Sequence, residues 1–303
     1  MAKTKIEWAD RSWNVITGCE KISAGCAHCY AERMAKRLAG RAGYPKENPF
    51  EVTLHIDKLD EPLKWKKPQR IFVCSMSDLF HEKVPFWFID EVFATILEAQ
   101  HHTFLVLTKR PERMREYFAK FRKEYLPIPN VWLGTSVEDQ RAAEKRIPEL
   151  LQIPAEVRFL SCEPLLGPLY LDEIPQVLLS VTKRKDAYLV DSGKLDWVIV
   201  GGESGPKARP MNPDWVRGIR DQCLAGNIPF FFKQWGEWQW TDERLEIQRM
   251  ANGKKERKLT SIKIPGAIGY NEVWFRWVGK IKAGRVLDNR EWNEFPMSER
   301  GGR

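Results

Sequence analysis

Between residues 69 and 236 the chain alternates short apolar, β-rich runs with helical stretches, and that alternation leaves few folds open. The runs are 71–74, 104–107, 131–133, 157–160, 197–200 and 229–232. Short continuous apolar runs of this kind suit strands buried on both faces of a parallel sheet. Between them, 85–100 carries Phe86, Ile89, Val92, Phe93, Ile96 and Leu97 at helical spacing. The stretch 112–125 carries Met114, Tyr117, Phe118 and Phe121, and 139–151 carries Ala142, Ala143, Ile147 and Leu150, with Pro148 expected to bend or end it. The stretch 214–225 carries Trp215, Ile219 and Cys223, with Asn227 as a capping residue. Strand and helix in alternation predict an α/β fold, a partial or complete parallel (β/α) barrel over residues 1–240. Residues 36–69 form a long Lys-, Pro- and Gly-rich excursion with one strand at 52–56, and 183–194 is a charged insertion. Residues 241–303 read as a C-terminal appendage. It is polar over 241–261, then has a β-hairpin running from 273–280 through Ala283-Gly284 to 285–287.

Each run ends in polar residues. They are Ser75-Met76-Ser77-Asp78, Thr108-Lys109-Arg110, Gly134-Thr135-Ser136-Val137-Glu138, Ser161-Cys162-Glu163-Pro164, Gly201-Gly202-Glu203-Ser204-Gly205 and Lys233-Gln234-Trp235-Gly236. In a parallel barrel all C-terminal strand ends open onto one face, where active sites sit. One face then collects Asp78, Lys109, Arg110, Glu138, Glu163, Glu203 and Lys233. Strands leaving a core explain any one of these residues, but six charge-bearing exits less well.

Composition excludes several classes. With 43% hydrophobic and 30% charged residues the chain is globular. No apolar run approaches a membrane span, and residues 1–10 lack a secretory apolar region, so a cytoplasmic protein without membrane contact is expected. A net charge of +8 permits an anionic partner such as nucleic acid, but a soluble basic surface explains it as well. Of the 13 Trp, those from Trp197 onward could stack on bases, yet core filling is the safer reading.

Six cysteines are too few for a disulfide-stapled fold, but three crowd one stretch. Cys19, Cys26 and Cys29 form C-x6-C-x2-C, with Gly18 and Gly25 freeing the backbone to wrap. A helical segment, 31–38, follows at once, and its N-terminal partial charge favours thiolate. Three readings stay open. Structural zinc needs a fourth ligand, for which His28 is awkward and Cys74 or Cys162 would have to come from elsewhere. A [4Fe–4S] cluster held by three cysteines keeps one iron open for a substrate or cofactor. Three metal-free thiols are the least favoured by the tight spacing. Of the other cysteines, Cys74 and Cys162 lie near strand ends and could donate a hydrogen atom, although buried Cys is common as apolar filler, and Cys223 reads as core. His81, just past Asp78, is an acid/base candidate.

A cysteine loop opening a parallel barrel resembles the radical S-adenosylmethionine superfamily. The usual spacing there is C-x3-C-x2-C, with an aromatic where His28 stands. A closer resemblance covers most of the chain. It runs through Ile6-Glu7-Trp8, Trp13-Asn14-Val15-Ile16-Thr17-Gly18-Cys19, Gly25-Cys26-Ala27-His28-Cys29-Tyr30 and Ser75-Met76-Ser77-Asp78-Leu79-Phe80. It continues through Leu107-Thr108-Lys109-Arg110-Pro111, Gly134 to Glu138, Glu163-Pro164-Leu165-Leu166, Gly201 to Gly205 and Phe232 to Gly236. These are similar to the phage-associated three-Cys-motif family, which is radical-S-adenosylmethionine-like and distantly similar to spore photoproduct lyase.

The resemblance implies that Cys19, Cys26 and Cys29 hold a [4Fe–4S] cluster whose open iron takes S-adenosylmethionine. Reductive cleavage would then give a 5′-deoxyadenosyl radical, with flavodoxin or ferredoxin as electron donor and room for a protein partner. By strand order, Ser75, Ser77 and Asp78 would face the methionyl amine, Lys109 or Arg110 the carboxylate, and Glu138 and Glu163 the ribose. Gly201, Gly202 and Glu203 complete the cofactor-side set on a late strand, where the superfamily's own Gly-Gly-Glu role does not transfer. The substrate is not implied, though nucleic acid is a candidate. Two other functions compete. One is a metal-stabilised nucleic-acid-binding protein without radical chemistry. The other is a nuclease using Asp78, Glu138, Glu163 and Glu203 to bind divalent metal.

Overall fold

Seven parallel strands pair side by side in the order in which the chain makes them. They are β1 (Arg11–Trp13), β2 (Arg70–Val73), β3 (Thr103–Thr108), β4 (Val131–Ser136), β5 (Val157–Cys162), β6 (Trp197–Gly201) and β7 (Phe230–Gln234). The computed structural model describes residues 4, 6–121, 125–174, 177, 194–241, 258–265 and 270–296. Among these, β1 and β7 are not paired with each other, so the barrel is partial. β1 has no apolar run behind it. It is three residues long, and only Trp13 is fully buried, against the helix layer.

The helices are α1 (Tyr30–Arg37), α2 (Phe86–Glu98), α3 (Pro111–Phe118), α4 (Gln140–Leu151) and α5 (Pro213–Ala225). The Asp139 carboxylate accepts from the Ala142 amide at 2.8 Å to start α4, and the Asn212 side chain accepts from the Asp214 amide at 2.9 Å to start α5. Pro148 lies inside α4 without ending it. Helix α3 stops at Phe118, short of the expected 125, with Phe121 still packed on the core. The excursion does contribute a strand, Thr53–Leu54, paired antiparallel with Ile16–Thr17.

Alternate residues of each strand face opposite ways. Ile71, Val73, Phe104, Val106, Leu133, Leu160, Cys162, Val198, Val200 and Phe232 pack with the helices. Phe72, Leu105, Trp132, Phe159, Trp197, Ile199 and Phe231 fill the lumen together with Trp8 and Phe295 from the two ends of the chain. Trp197 is central: its ring meets Trp132 and Phe159 at 5.8 Å, Phe231 at 5.9 Å and Phe295 at 5.1 Å. Its indole N–H donates to the Glu294 carbonyl at 2.8 Å. The lumen is thus filled by aromatic side chains beneath the C-terminal ends of the strands.

Beyond the barrel, β8 (Trp238–Thr241), β9 (Leu259–Pro265) and β10 (Tyr270–Trp277) form an antiparallel sheet in the order β8-β10-β9. The expected hairpin partner is therefore corrected. β10 pairs with β9 and β8, and Val286–Leu287 pairs with Arg290–Glu291, because a helical turn at Lys280–Ala283 intervenes. Alternation reveals a strand but not its partner. Most of the charged insertion (183–193) and of the polar stretch (242–257) lies outside the described residues. Residues 292–294 return to the free edge of β7, where the Phe232 amide donates to the Trp292 carbonyl at 2.9 Å. Among the described residues no helix is long and apolar enough to cross a membrane. Replacing Trp197 by Ala empties the lumen and should cost about 3–5 kcal/mol in urea unfolding, with a cost near zero excluding a load on this plug.

Candidate functional site

A cavity of about 920 Å³ opens at the C-terminal strand ends. Its walls include all three clustered cysteines, together with Cys74, Ser75, Ser77, Asp78, Lys109, Arg110, Glu163, Gly202 and Glu203. Glu138, Cys162, His81 and Gly201 are not on its wall.

The cysteine loop is placed from below. Gly18 has φ +81°, and a Cβ there would stand 2.0 Å from the Glu51 carbonyl oxygen, so only glycine fits before Cys19. The Ser77 hydroxyl donates to the Gly18 carbonyl. Two carboxylates then hold the middle of the loop. Glu138, at the exit of β4, is buried, accepts from Arg146 at 2.8 Å and accepts from the Gly25 amide at 3.4 Å. Glu203, past β6, accepts from Arg209 Nη2 at 2.7 Å, while the same guanidinium nitrogen donates to the Ala24 carbonyl at 3.0 Å. His28 Nδ1 lies 3.1 Å from Glu203 Oε2. Burial would raise both carboxyls. For Glu138 the Ser23 hydroxyl, Arg146 and Lys109 outweigh it, and for Glu203 Arg209 and His28 do, so both stay below the ordinary range.

Cations stand beside the thiols. Arg110 Nη1 is 3.8 Å from Cys19 Sγ and donates to Asp78 Oδ2 at 3.2 Å. Burial, aided by the Asp78 charge, still pushes the Cys19 thiol up to about 11. At Cys26 burial acts in the same direction, but Lys109 and hydrogen bonds from Ile22 and Ser23 outweigh it and bring the thiol below its ordinary value. Asp78 is fully engaged. It accepts from Thr108 Oγ1 at 2.7 Å, from the Phe80 and Lys109 amides at 3.0 Å, and from Arg110. It therefore ties β2 to β3 and has no place left for a ligand amine. The Ser75 hydroxyl donates to Asn14 Oδ1 at 3.1 Å; its oxygen and that of Ser77 remain free to accept. Gly201 and Gly202 mark close approaches, where added Cβ atoms would stand 2.6 Å from Glu163 Oε1 and 2.1 Å from the Trp235 carbonyl oxygen.

Cys162 belongs to the helix-facing core, and burial pushes its thiol well up. Cys74 is 2% exposed, at φ +58° just past β2, and burial raises its thiol too. His81 is fully buried, accepts from the Lys83 amide at 3.1 Å and is held neutral by burial. The arginines that complete the loop's anchorage, Arg146 and Arg209, were not legible as site residues. The only signal was a charge at position 146, beside Ile147 on the otherwise apolar stripe of α4. Among the described residues, no three His, Cys, Asp or Glu side chains are gathered to hold a metal ion.

Over residues 3–296 the sequence matches the model of the family described as "Protein of unknown function (DUF5131)". The chain belongs to that family. No curated protein sequence matches it. Two solved structures are similar over 91% of this chain and 71% of theirs. One is a spore photoproduct lyase with a cysteine-to-serine substitution (12% identity, TM-score 0.37). The other is spore photoproduct lyase complexed with a dinucleoside spore photoproduct (10% identity, TM-score 0.36). At these scores the likeness assigns neither fold nor function.

Two outcomes are expected of the metal-free protein. At pH 8, Cys26 should alkylate at least roughly tenfold faster than Cys19, because its larger thiolate fraction outweighs its lower nucleophilicity. Equal rates in peptide mapping would show that burial with Asp78 at Cys19 and Lys109 at Cys26 do not sort the thiols. Glu203→Gln should raise labelling of Cys29 about threefold or more while Cys74 stays protected, since a charge-assisted tether of the loop is weakened. Unchanged labelling would show that the tether does not hold the loop.

Proposed function

We propose that the chain is an iron–sulfur enzyme of the radical S-adenosylmethionine type that modifies or repairs an unidentified substrate, with nucleic acid a candidate class. The observation that supports this most is the placement of three free, half-buried thiols from one loop on a single cavity at parallel strand exits, with Lys109 and Arg110 beside them. The donor set suits the cofactor: three thiols from one loop, with Lys109 acting on Cys26 and Arg110 on Cys19. The thiols are not yet converged, so loading requires Cys19, Cys26 and Cys29 to turn toward one point.

When bound, a [4Fe–4S] cluster with S-adenosylmethionine supplies reductive cleavage of the sulfonium and a carbon radical that takes a substrate hydrogen. The chain's own residues bind and orient. Lys109, whose ammonium has no ion-pair partner among the described residues, meets the methionyl carboxylate, and the Ser75 and Ser77 oxygens accept from the amine. Arg110 balances charge at Cys19. Glu138 and Glu203 keep the loop seated, and the aromatic lumen excludes water from the floor. A soluble reductant such as flavodoxin or ferredoxin supplies the electron, in the cytoplasm.

Anaerobic reconstitution tests the reading. About four iron and four sulfide per chain are expected, with 5′-deoxyadenosine formed on addition of reductant, and both lost in Cys26→Ala. Zinc as the bound metal, or a loaded cluster that leaves S-adenosylmethionine intact, would overturn it. The first result would favour the metal-stabilised nucleic-acid-binding protein.

A further inference from the structure

The cavity has a second polar region that the cysteine loop does not use. The charges acting on Cys19 and Cys26 come from Asp78, Arg110 and Lys109, whereas those acting on Lys233 come from Glu163 and Glu7. Lys233 Nζ and Glu163 Oε1 form an ion pair at 2.9 Å, and the Ser161 hydroxyl donates to Glu163 Oε2 at 3.0 Å. Glu163 follows β5 and Lys233 lies on β7, so the pair reaches across β6. It can do so because residue 201 is glycine: a Cβ there would stand 2.6 Å from Glu163 Oε1. On the N-terminal segment, Glu7 Oε1 pairs with Lys280 at 3.3 Å. Glu7 Oε2 and the indole N–H of Trp8 are both buried and have no hydrogen-bond partner among the described residues. Glu163, Lys233, Ser161, Glu7, Trp8 and Lys280 are all on the cavity wall, as is Phe72, whose ring centroid lies 4.7 Å from that of Trp8.

The chemistry of this region is specific. Its two lysines are matched by two carboxylates, so these four groups carry no net charge with which to attract a phosphate. A sheltered ion pair contributes little to stability, since desolvation offsets most of the attraction. Orphaned buried donors and acceptors cost stability unless something pairs with them. What remains is a set of hydrogen-bonding groups of both kinds beside the ring of Phe72. A flat, uncharged ring bearing both donors and acceptors pairs with them and stacks at the same time.

We infer that the region around Glu163, Lys233, Glu7 and Trp8 is the substrate pocket of this cavity, and that it takes a nucleobase drawn out of its strand rather than the phosphate backbone. The inference rests on the enzyme reading above for the nucleic-acid class of substrate.

The full-length chain, with no cluster needed, provides the test. Binding of a mixed-sequence single strand is compared by fluorescence anisotropy with that of a fully abasic strand of equal length, across a range of salt. The wild type should bind the base-bearing strand roughly tenfold tighter. Lys233→Met should bring the two within about twofold of each other while leaving the slope of log affinity against log salt unchanged. A slope reduced by about one would make Lys233 a phosphate contact and overturn the inference. Equal binding of both strands by the wild type, or of neither, would overturn it as well. Should Lys233→Met fail to fold, the double variant Lys233→Met/Glu163→Gln, which removes both charges together, carries the same expectation. Failure here alongside a loaded cluster that cleaves S-adenosylmethionine would refute the pocket alone, whereas base-dependent binding without iron uptake would refute the enzyme alone.

Discussion

Cys29 packs on the small core around the helix that follows it, whereas the middle of the cysteine loop is held by two carboxylates that reach it from the barrel. Glu138 holds the Gly25 amide while Arg146 neutralises it, and Glu203 holds Arg209, which in turn grips the Ala24 carbonyl. The anchored residues, Ala24 and Gly25, lie in the gap between Cys19 and Cys26. A long gap of this kind would leave three thiols on a slack tether. Fastening its middle to two strand exits takes up the slack and fixes where Cys26 and Cys29 stand. Carboxylates so near prospective thiolates would repel them were each not matched by an arginine. The matching guanidiniums thus do two jobs, orienting the acceptors and cancelling their field.

The alternation of apolar runs and helical stretches was enough to read six of the seven barrel strands and their parallel sense. β1 escaped because its short stretch has a single fully buried side chain, and it is recognisable only by its pairing with β2. The strand exits are legible as a group, and the facing of each residue follows from the period of two along its strand. In β5 the period of two sends Phe159 and Ser161 to the lumen side and Leu160 and Cys162 to the helices. Cys162 could therefore have been removed from the site by parity alone. Glu138 and Asp78 could not, because nothing in the sequence says that Arg146, from the following helix, or the Thr108 hydroxyl and Arg110, from the next strand exit, would engage them. Hydrogen-bond partners are a tertiary fact, and they separate a carboxylate that meets a ligand from one that meets a loop.

The same distinction orders the charged residues around the cavity. Asp78, Glu138 and Glu203 are buried and satisfied within the protein, and their loss would be felt first as disorder of the loop and strand exits. Glu7 and Glu163 differ, because each is paired with a single lysine, Lys280 and Lys233 respectively. Keeping such groups half-desolvated costs stability, and the framework beneath them has to supply it. It does so with the aromatic lumen, where Trp8 from one end of the chain and Phe295 from the other close around Trp197. Trp8 belongs to both parts: its ring packs in the lumen while its indole N–H goes unpaired beside Glu7. The N-terminal segment is therefore more than a cover for the open side of the barrel. It couples the packing that stabilises the fold to the polar wall that has yet to be satisfied.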